Sequence, residues 1–415
     1  MQREMDYADK KTDAAESGII WGNHRKEEER ESGPDSVESR KYAYWFSCAS
    51  DFNYRVQKLL ITVCGSAKEI YGLDSRQLEK IPGLMHKDAG RLIESKKTWD
   101  TDLQWERLEQ SGVRFTSLEC GDYPPQLREL ADAPYGIFYR GRLPQPDELR
   151  VAVVGARMCS EYGRSIAREI GRQLAAWDVP VVSGMARGID AAGHRGALDC
   201  GGDTYAVLGC GADVCYPNYH RQLYYEIAQH GGLLSQYPPG TKPLAWHFPQ
   251  RNRLISVLSD AVFIIEAKEK SGSLITADFA LEQGRDVYAL PGRITDALSS
   301  GCNRLIEQGA GIILSVEDCL EQLAMQAGRK KKTAQEAVCT KKAAEAEKQK
   351  FDNLHKFSLE KDELLVYGCL GLLPTGMEQI LEQTGFDVQS AGRALSALLQ
   401  KHYIEEVFKN CYKIR

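Results

Sequence analysis

Residues 151–190 read VAVVGARMCSEYGRSIAREIGRQLAAWDVPVVSGMARGID, and this stretch decides the fold class. It opens with a short apolar run, Val151–Val154, whose β-branched residues are typical of a buried strand. A second apolar run, Val179–Val182, predicts another strand, and its pairing begins after Pro180 because proline has no N–H to donate. The pattern between the two runs is that of an amphipathic helix, with apolar residues four apart at Ile166, Ile170 and Leu174.

The same alternation of strand and helix continues to about residue 314. Further apolar runs stand at Thr204–Leu208, Leu233–Ser235, Ala261–Ile265, Asp286–Ala289 and Ile312–Leu314. Helical patterns separate most of them, for example at Ile189–Leu198 and Leu274–Leu281. Apolar strands alternating with amphipathic helices are typical of a parallel sheet that is covered on both faces. The sequence therefore predicts an α/β fold with a Rossmann-like, mostly parallel sheet and helices on both faces.

The sequence before this region predicts two segments. Residues 1–40 are rich in charged side chains and poor in large apolar ones, which predicts a disordered tail. Residues 41–110 have a helical pattern, with two short helices around a tight turn, and they resemble a SAM-like or helix-hairpin-helix module. Met85 stands where a second hairpin glycine is usual, so a plain helical packing domain is the favoured alternative. Residues 111–324 then form the Rossmann-like domain with a leading connector that contains a short strand.

The sequence after residue 324 predicts a linker and a last small domain. Residues 325–354 are rich in Lys, Ala, Glu and Gln and have the composition of a solvated linker or of a single exposed helix. Residues 355–415 contain three short helical patterns and a terminal hairpin, which together resemble a winged helix. Its third helix carries Gln389, Ser390 and Arg393 but few other basic groups, so a protein-binding or regulatory role is as well supported as DNA reading.

Composition excludes several classes of protein. The formal net charge of −5 and the pI of about 6.0 show no overall signature of a nucleic-acid binder, so such a function has to arise from local clusters. The 12 cysteines are scattered without a C-x-x-C pair, which favours reduced thiols over a zinc site or a disulfide framework. The sequence shows neither an export signal nor a long apolar run, and a cytoplasmic location is expected.

The loops at the strand ends carry the candidate chemistry. In an open parallel sheet, functional groups collect at the carboxyl ends of the strands, where loops enter helix N-termini. Here those loops combine small residues, which let a phosphate approach backbone N–H groups, with basic side chains that neutralise it. They predict a phosphate cradle. The candidate DNA-binding or phosphate-binding residues are Gly155, Ala156, Arg157, Ser183, Gly184, Ala186, Gly188, Phe248, Arg251, Asn252, Arg253, Lys270, Gly272 and Ser273.

Each of these elements also has a plainer explanation. Ser271–Ser273 suits the N-cap of the following helix. The pair of glycines at 209 and 211 lacks the third glycine of a dinucleotide-binding loop and is explained more simply as a turn. His194 is more often a structural histidine than a catalyst. Arg251 and Arg253 could serve only to pair with Asp190 or a helix end.

A series of motifs occurs in order along the central region. It includes Val154-Gly-Ala-Arg157, Ser183-Gly-x-Ala-x-Gly-Ile-Asp190, Phe248-Pro-x-Arg-Asn-Arg253, Ser271-Gly-Ser-Leu-Ile-Thr-Ala277 and Pro291-Gly292. Together these motifs closely resemble the DNA-processing protein A family, DprA, also called Smf. A departure is Ala156, where the family commonly has serine, and this removes one hydroxyl from the first loop.

The resemblance implies a function and a set of roles. It implies a protein that binds and protects incoming single-stranded DNA during natural transformation, forms homodimers and loads the RecA recombinase. It further implies that Arg157 pairs with a backbone phosphate, that the loop 183–188 and the turn 272–273 supply backbone amides, that 251–253 line the same pocket, and that Lys270 lies at its rim. No catalytic residue, cofactor or metal is implied.

Single strands also need surfaces on which bases stack. The aromatic residues nearest in sequence to the cradle are Tyr162, Tyr216, Trp246 and Phe248. Packing in the core is the alternative for each of them.

Two other functions compete with DNA binding. The cradle also resembles that of phosphoribohydrolases, which carry a Pro-Gly-Gly-x-Gly-Thr turn followed by a catalytic Glu; this sequence lacks both, and only Asp190 with His194 offers an acid–base pair. The second competitor is a nucleotide-sensing module that binds a free nucleotide and signals through the C-terminal domain.

Overall fold

The computed structural model describes most of the chain and divides it into two compact units. The described residues are 33–48, 54–326, 361–370, 375–408 and 410–414. The two units are Met1–Lys331 and Lys332–Arg415. Residues 1–32, most of the predicted tail, and 327–354, most of the predicted linker, lie outside the described residues.

Short helices form the N-terminal part of the first unit. Their bounds are Val37–Cys48, Tyr54–Cys64, Ala67–Gly72, Ser75–Glu79, His86–Thr98 and Thr101–Gln110. The two helices predicted around a tight turn are Ser75–Glu79 and His86–Thr98, and Gly83 between them has a φ of +87°, which glycine adopts without strain. The resemblance to a SAM-like or helix-hairpin-helix module stays a prediction.

The predicted boundary of the disordered tail was wrong. The helix Val37–Cys48 begins inside the range 1–40 that was assigned to the tail. Arg40 explains why, because its guanidinium lies 3.1 Å from the carboxylates of both Asp35 and Asp122. Asp122 is far from Arg40 in the sequence, so the composition of residues 1–40 contains no sign of this pairing.

A nine-stranded sheet forms the centre of the first unit. Its spatial order is β1-β2-β6-β5-β4-β3-β7-β8-β9. The strands are β1 Arg114–Ser117, β2 Gly136–Gly141, β3 Val151–Val154, β4 Val181–Ser183, β5 Thr204–Val207, β6 Gly231–Ser235, β7 Ala261–Ile264, β8 Asp286–Ala289 and β9 Gly311–Ile312. Strands β3 to β9 pair in parallel, whereas β1 and β2 pair antiparallel. The mostly parallel sheet is confirmed, with two strands in the connector instead of the single one predicted.

The order of the strands creates a switch point next to β3. From β3 the chain proceeds to β4, β5 and β6 on one side, and then returns to place β7, β8 and β9 on the other side. Loops that leave two neighbouring strands in opposite directions open a crevice at their carboxyl ends, where ligands of open α/β sheets bind. The crevice in this protein is therefore expected outside β3 and β7.

Helices cover both faces of the sheet. In β3, Ala152 and Val154 belong to one buried core and Val151 and Val153 to the other, as the two-residue period of a strand requires. The helices on the first face are Pro125–Arg128, His247–Val257, Gly272–Glu282 and Ser300–Glu307. Those on the second face are Glu161–Ala176, Ile189–Asp199, Arg221–His230 and Val316–Gln326. The predicted two-sided cover is confirmed.

The second unit contains the elements expected from its sequence. The helices are Lys361–Gly368, Met377–Thr384 and Val388–Gln400, and the strands are β10 Thr375–Gly376, β11 Ile404–Phe408 and β12 Cys411–Ile414. Strands β11 and β12 form an antiparallel hairpin, and β10 pairs with β12. The resemblance to a winged helix stays a prediction.

Two properties of the described residues bear on the expectations from composition. None of their helices combines the length and the apolar character needed to cross a bilayer. All of the cysteines within the described ranges are free thiols.

Candidate functional site

A cleft of about 410 Å³ lies at the switch point and is termed the central cleft. Three elements form its walls, namely the loop that follows β3, the loop that follows β7, and the first turns of the helix His247–Val257. Its lining residues include Gly155, Ala156, Arg157, Met158, Ala186, Asp190, Phe248, Arg251, Asn252, Lys268, Lys270, Ser271, Gly272 and Ser273. The expectation that functional groups collect at the carboxyl ends of the parallel strands therefore located the cleft correctly.

Basic side chains give the central cleft a positive surface. Arg157, Lys268 and Lys270 are exposed, and none of them forms an ion pair within the described parts of the chain. The guanidinium of Arg157 lies 5.1 Å from the centre of the Phe248 ring, a cation–π distance that holds it over the cleft. Lys268 was missed by the sequence argument, although it lies only four residues beyond the end of β7.

The helix Gly272–Glu282 directs its N-terminus at the same cleft. Ser271 is its N-cap, and the Ser271 hydroxyl accepts a hydrogen bond from the N–H of Ser273 at 3.4 Å. The plainer explanation of this serine is therefore confirmed. The N–H of Gly272 takes part in no hydrogen bond assigned among the described residues, so it can reach an anion in the cleft.

A buried arginine supports the floor of the cleft. Arg251 is 3% exposed, and its guanidinium donates hydrogen bonds to the carbonyl of Gly184 at 2.8 Å and to the carbonyl of Val207. Burial lowers the pKa of Arg251 to about 10, and the carboxylate of Asp190 opposes that shift. A Cβ at position 184 would lie 2.5 Å from the guanidinium nitrogens, so any other residue there would displace the buried guanidinium.

The first residues after β4 are held by internal contacts, although Ala186 further along the loop lines the central cleft. The buried carboxylate of Asp190 accepts hydrogen bonds from the N–H groups of Gly184 and Ala186, while burial raises the pKa of that carboxyl. The hydroxyl of Ser183 donates to the carbonyl of Val153 at 2.6 Å. The prediction that Ser183 and Gly184 present groups to phosphate was therefore wrong, because these groups satisfy one another inside the fold.

Some backbone groups of the loop after β3 also make contacts inside the fold. The N–H of Ala156 donates to the carbonyl of Glu266 at 2.7 Å, so this backbone donor is not available to a ligand. Gly188 packs against the same loop, since a Cβ there would lie 2.3 Å from the carbonyl oxygen of Ala156. Its predicted role in phosphate binding is thus replaced by close backbone packing. The N–H groups of Arg157 and Met158 have no acceptor among the residues that the structure describes.

Arg253 lies outside the central cleft, contrary to the prediction. Residues two apart on a helix point to different sides, so Arg251 and Arg253 cannot line the same surface. The Arg253 guanidinium donates to the carboxylate of Asp132 at 3.0 Å and to the side-chain carbonyl of Gln236 at 2.8 Å. Arg253 therefore pairs with a carboxylate, but that of Asp132 and not that of Asp190, which the sequence had suggested as its partner.

Asn252 connects two walls of the central cleft. Its side-chain amide donates to the carbonyl of Gly272 at 3.3 Å, and its side-chain carbonyl accepts from Arg251 Nε at 3.2 Å. Gly155, Phe248 and Asn252 line the cleft, as the sequence predicted. The predicted residues that the structure places in its lining are Gly155, Ala156, Arg157, Ala186, Phe248, Arg251, Asn252, Lys270, Gly272 and Ser273.

Aromatic rings lie beside the cationic groups. The rings of Tyr216 and Phe248 are 5.7 Å apart, and Tyr216 is 41% exposed. Tyr162 and Trp246 are exposed as well, so core packing is the wrong explanation for these three residues, while Phe248 is half-buried. Trp246 lies outside the central cleft.

The competing acid–base pair is not formed. His194 is fully buried, and its Nδ1 lies 2.6 Å from the hydroxyl of Thr204. No hydrogen bond joins His194 to Asp190 in the described part of the chain. Burial, with further contributions from His220 and Arg251, lowers the pKa of His194 to about 3. This histidine packs inside the fold and has no access to a substrate in the cleft.

The buried neutral histidine predicts a dependence of stability on pH. Burial lowers the pKa of His194 from its ordinary value of 6.5 to about 3 in the folded chain, so the unfolded chain binds more protons below pH 6.5. Its contribution is therefore complete above pH 6.5 and is lost as the pH falls, by about 2 kcal/mol between pH 7 and pH 5. Urea unfolding of the wild type and of His194→Gln at both pH values measures this difference.

The glutamine variant should lose about 2 kcal/mol less than the wild type over that interval, because it has no group to protonate there. His230→Gln, at an exposed position, is the matched control and should follow the wild type. Equal losses for the wild type and His194→Gln would contradict the assignment of a buried neutral imidazole.

Comparison with known proteins identifies relatives of the chain. A sequence model of the family described as DNA recombination-mediator protein A matches residues 114–324. The DNA processing protein DprA of Streptococcus pneumoniae is 46% identical over 217 residues, which are 52% of this chain and 77% of that protein. Protein Smf of Escherichia coli is 41% identical over 243 residues, or 58% of this chain and 64% of that protein.

A solved structure agrees with the fold. The X-ray structure of DNA processing protein A from Streptococcus pneumoniae superposes with a TM-score of 0.60 at 38% sequence identity. The match covers 68% of this chain and 97% of the other.

Proposed function

This chain belongs to the DNA recombination-mediator protein A family, whose members include DprA and Smf, and from that membership we propose that it binds single-stranded DNA in the central cleft. The observation that carries the proposal is the group of exposed cations Arg157, Lys268 and Lys270 around the N-terminus of the helix Gly272–Glu282. Cations and free N–H groups are what a phosphate chain needs.

The contacts in the cleft address the backbone of the strand and not its sequence. The arginine and lysine side chains, together with the Gly272 N–H, suit phosphate oxygens. The neighbouring rings of Phe248 and Tyr216 suit the faces of bases, which are accessible only when the strand is unpaired. Binding is therefore insensitive to sequence and favours single strands over duplex.

Further steps follow from what the family resemblance implies. We propose that the protein acts in the cytoplasm as a homodimer, protects incoming DNA during natural transformation, and loads the RecA recombinase onto the bound strand. The description of the family as a recombination mediator supports this role. For the unit Lys332–Arg415, we propose a winged helix with a regulatory or protein-binding role.

Removing the two lysines is expected to reduce the salt dependence of binding. Each phosphate contact on a single strand contributes about 0.7 to the slope of log affinity against log salt concentration. The double substitution of Lys268→Ala with Lys270→Ala should therefore lower the slope by about 1.4. Fluorescence anisotropy of a labelled oligonucleotide, measured over a series of salt concentrations, gives the slope.

Arg172→Ala is a control for the loss of a positive charge outside the central cleft. Arg172 lies near the far end of the helix Glu161–Ala176 and pairs with Asp199 at 3.1 Å, so its removal should leave the slope unchanged. An unchanged slope in the double lysine variant would show that the strand binds elsewhere.

A further inference from the structure

A second cleft, of about 680 Å³, lies between the N-terminal helices and the sheet of the first unit and is termed the side cleft. Its walls include Tyr54 and Gln57 on one side and Gln236, Trp246, Gln250 and Arg253 on the other. The helix His247–Val257 separates it from the central cleft, since Arg251 and Arg253 face different clefts.

Among the described residues that line the side cleft, no cation is left unpaired to bind a phosphate. Its arginine, Arg253, lies 3.0 Å from the carboxylate of Asp132 and donates to Gln236 as well. Burial lowers the pKa of Arg253, and Asp132 opposes that shift. The pair is electrically neutral, in contrast to the exposed cations of the central cleft.

Exposed aromatic rings line the side cleft instead. Trp246 is 62% exposed and Tyr54 is 39% exposed, although both are large apolar side chains. They come from different parts of the unit, Tyr54 from the N-terminal helices and Trp246 from the start of the helix beside the sheet. Such rings offer a flat apolar surface to a planar ligand.

Polar side-chain groups that lack a partner among the described residues complete the lining. Gln57 is half-buried, and no hydrogen bond is assigned to its side chain within the described residues. The Gln250 side-chain carbonyl accepts from the Tyr237 hydroxyl at 3.0 Å, which leaves its NH₂ group without an acceptor in the described part of the chain. The hydroxyl of Ser47, also in the lining, is buried and has no partner there. These groups can both donate and accept hydrogen bonds.

We propose that the side cleft binds a nucleobase. A base has an apolar face for Trp246 and a polar edge for the amides of Gln57 and Gln250, and it carries no charge that would need a cation. If the base belongs to the strand that is held in the central cleft, the inference rests on the proposed function. The two clefts flank one helix, whose diameter of about 10–12 Å sets the scale of their separation.

The test compares two oligonucleotides of equal length, one of thymidines and one in which the bases are replaced by abasic sites. The ratio of their affinities for the full chain measures the contribution of the bases. Trp246→Ala should reduce that ratio by about 5- to 150-fold, which corresponds to the range of about 1–3 kcal/mol for one base–aromatic stack. Gln57→Ala should reduce it in the same direction, and the affinity for the abasic strand should stay unchanged in both variants.

Tyr225→Ala removes a ring that is exposed to a similar extent but lies on the helix Arg221–His230, away from both clefts, and should leave the ratio unchanged. Urea unfolding verifies that each variant is folded. An unaltered ratio in folded Trp246→Ala and Gln57→Ala would overturn the proposal.

A titration with adenosine distinguishes a base in a strand from a free nucleoside. Quenching of tryptophan fluorescence by adenosine in the wild type, absent in Trp246→Ala, would support a site open to free nucleosides. A base preference seen only with the oligonucleotide would support a base of the strand. If the wild type bound neither oligonucleotide, the proposed function would fail, and adenosine quenching would then decide the nucleobase site by itself; its absence would overturn that site as well.

Discussion

The variant Arg251→Met is expected to lose about 3–5 kcal/mol of unfolding free energy, which is the range for removing one partner of a buried pair of charges. In the wild type the guanidinium hydrogen-bonds the carbonyls of Gly184 and Val207, and its charge favours the ionised carboxyl of Asp190. Methionine fills a similar volume but leaves the carbonyls unpaired and the carboxylate without its neighbouring cation. Urea unfolding at neutral pH measures the loss.

Arg251→Lys is the matched variant, because it retains the charge but not the forked hydrogen bonds. Its loss should lie between those of the wild type and Arg251→Met. A loss below about 1 kcal/mol in Arg251→Met, which is within the usual range of a hydrogen bond, would show that this arginine does not support the floor of the central cleft.

The variant Arg157→Ala is expected to bind a single-stranded oligonucleotide about 10- to 150-fold more weakly, since a hydrogen bond to a charged group is worth about 1.5–3 kcal/mol. Its guanidinium is exposed, lies over the ring of Phe248, and has no ion-pair partner in the described ranges. The substitution therefore removes a ligand contact, and the internal contact it breaks is the cation–π contact with Phe248. Electrophoretic mobility shift at moderate salt, with urea unfolding as a check of the fold, measures the effect.

Arg253→Ala provides a contrast within the same motif. This side chain is engaged by Asp132 and Gln236, so its removal should lower stability and should not reproduce the loss of phosphate contact. Arg172→Ala, which removes an arginine far along its helix, should leave affinity unchanged. If Arg157→Ala bound the oligonucleotide as tightly as the wild type, the phosphate contact would lie outside the central cleft.

The alternation of apolar runs was sufficient to predict the central sheet. The pairing of Val151 with Val181 confirms that β4 begins after Pro180, as the missing N–H required. Local patterns could not reveal that β7 lies next to β3, because this neighbour relation joins residues that are far apart in the sequence. The loops after β3 and β7 could nevertheless be selected from the sequence, because every parallel strand brings the loop that follows it to the same edge of the sheet.

The errors within the site have a common physical cause. The sequence shows which residues enter the loops but not which polar groups are already engaged inside the fold. The Gly184 N–H is taken by Asp190, and the Ala156 N–H is taken by the Glu266 carbonyl. Arg253 could have been separated from Arg251 by helical geometry alone, because residues two apart point to different sides of a helix. Its partner Asp132, by contrast, is distant in sequence and was not predictable.

The central claim is that exposed cations around the end of β3 and the Gly272–Glu282 N-terminus seat the phosphates of an unpaired strand. The most direct test is the affinity of the full chain for a single-stranded oligonucleotide and for a duplex of the same sequence, over a series of salt concentrations. We predict tighter binding of the single strand, with log affinity falling linearly by about 0.7 per phosphate contact as log salt concentration rises. An affinity that is independent of salt, or equal for the two forms of DNA, would contradict the claim.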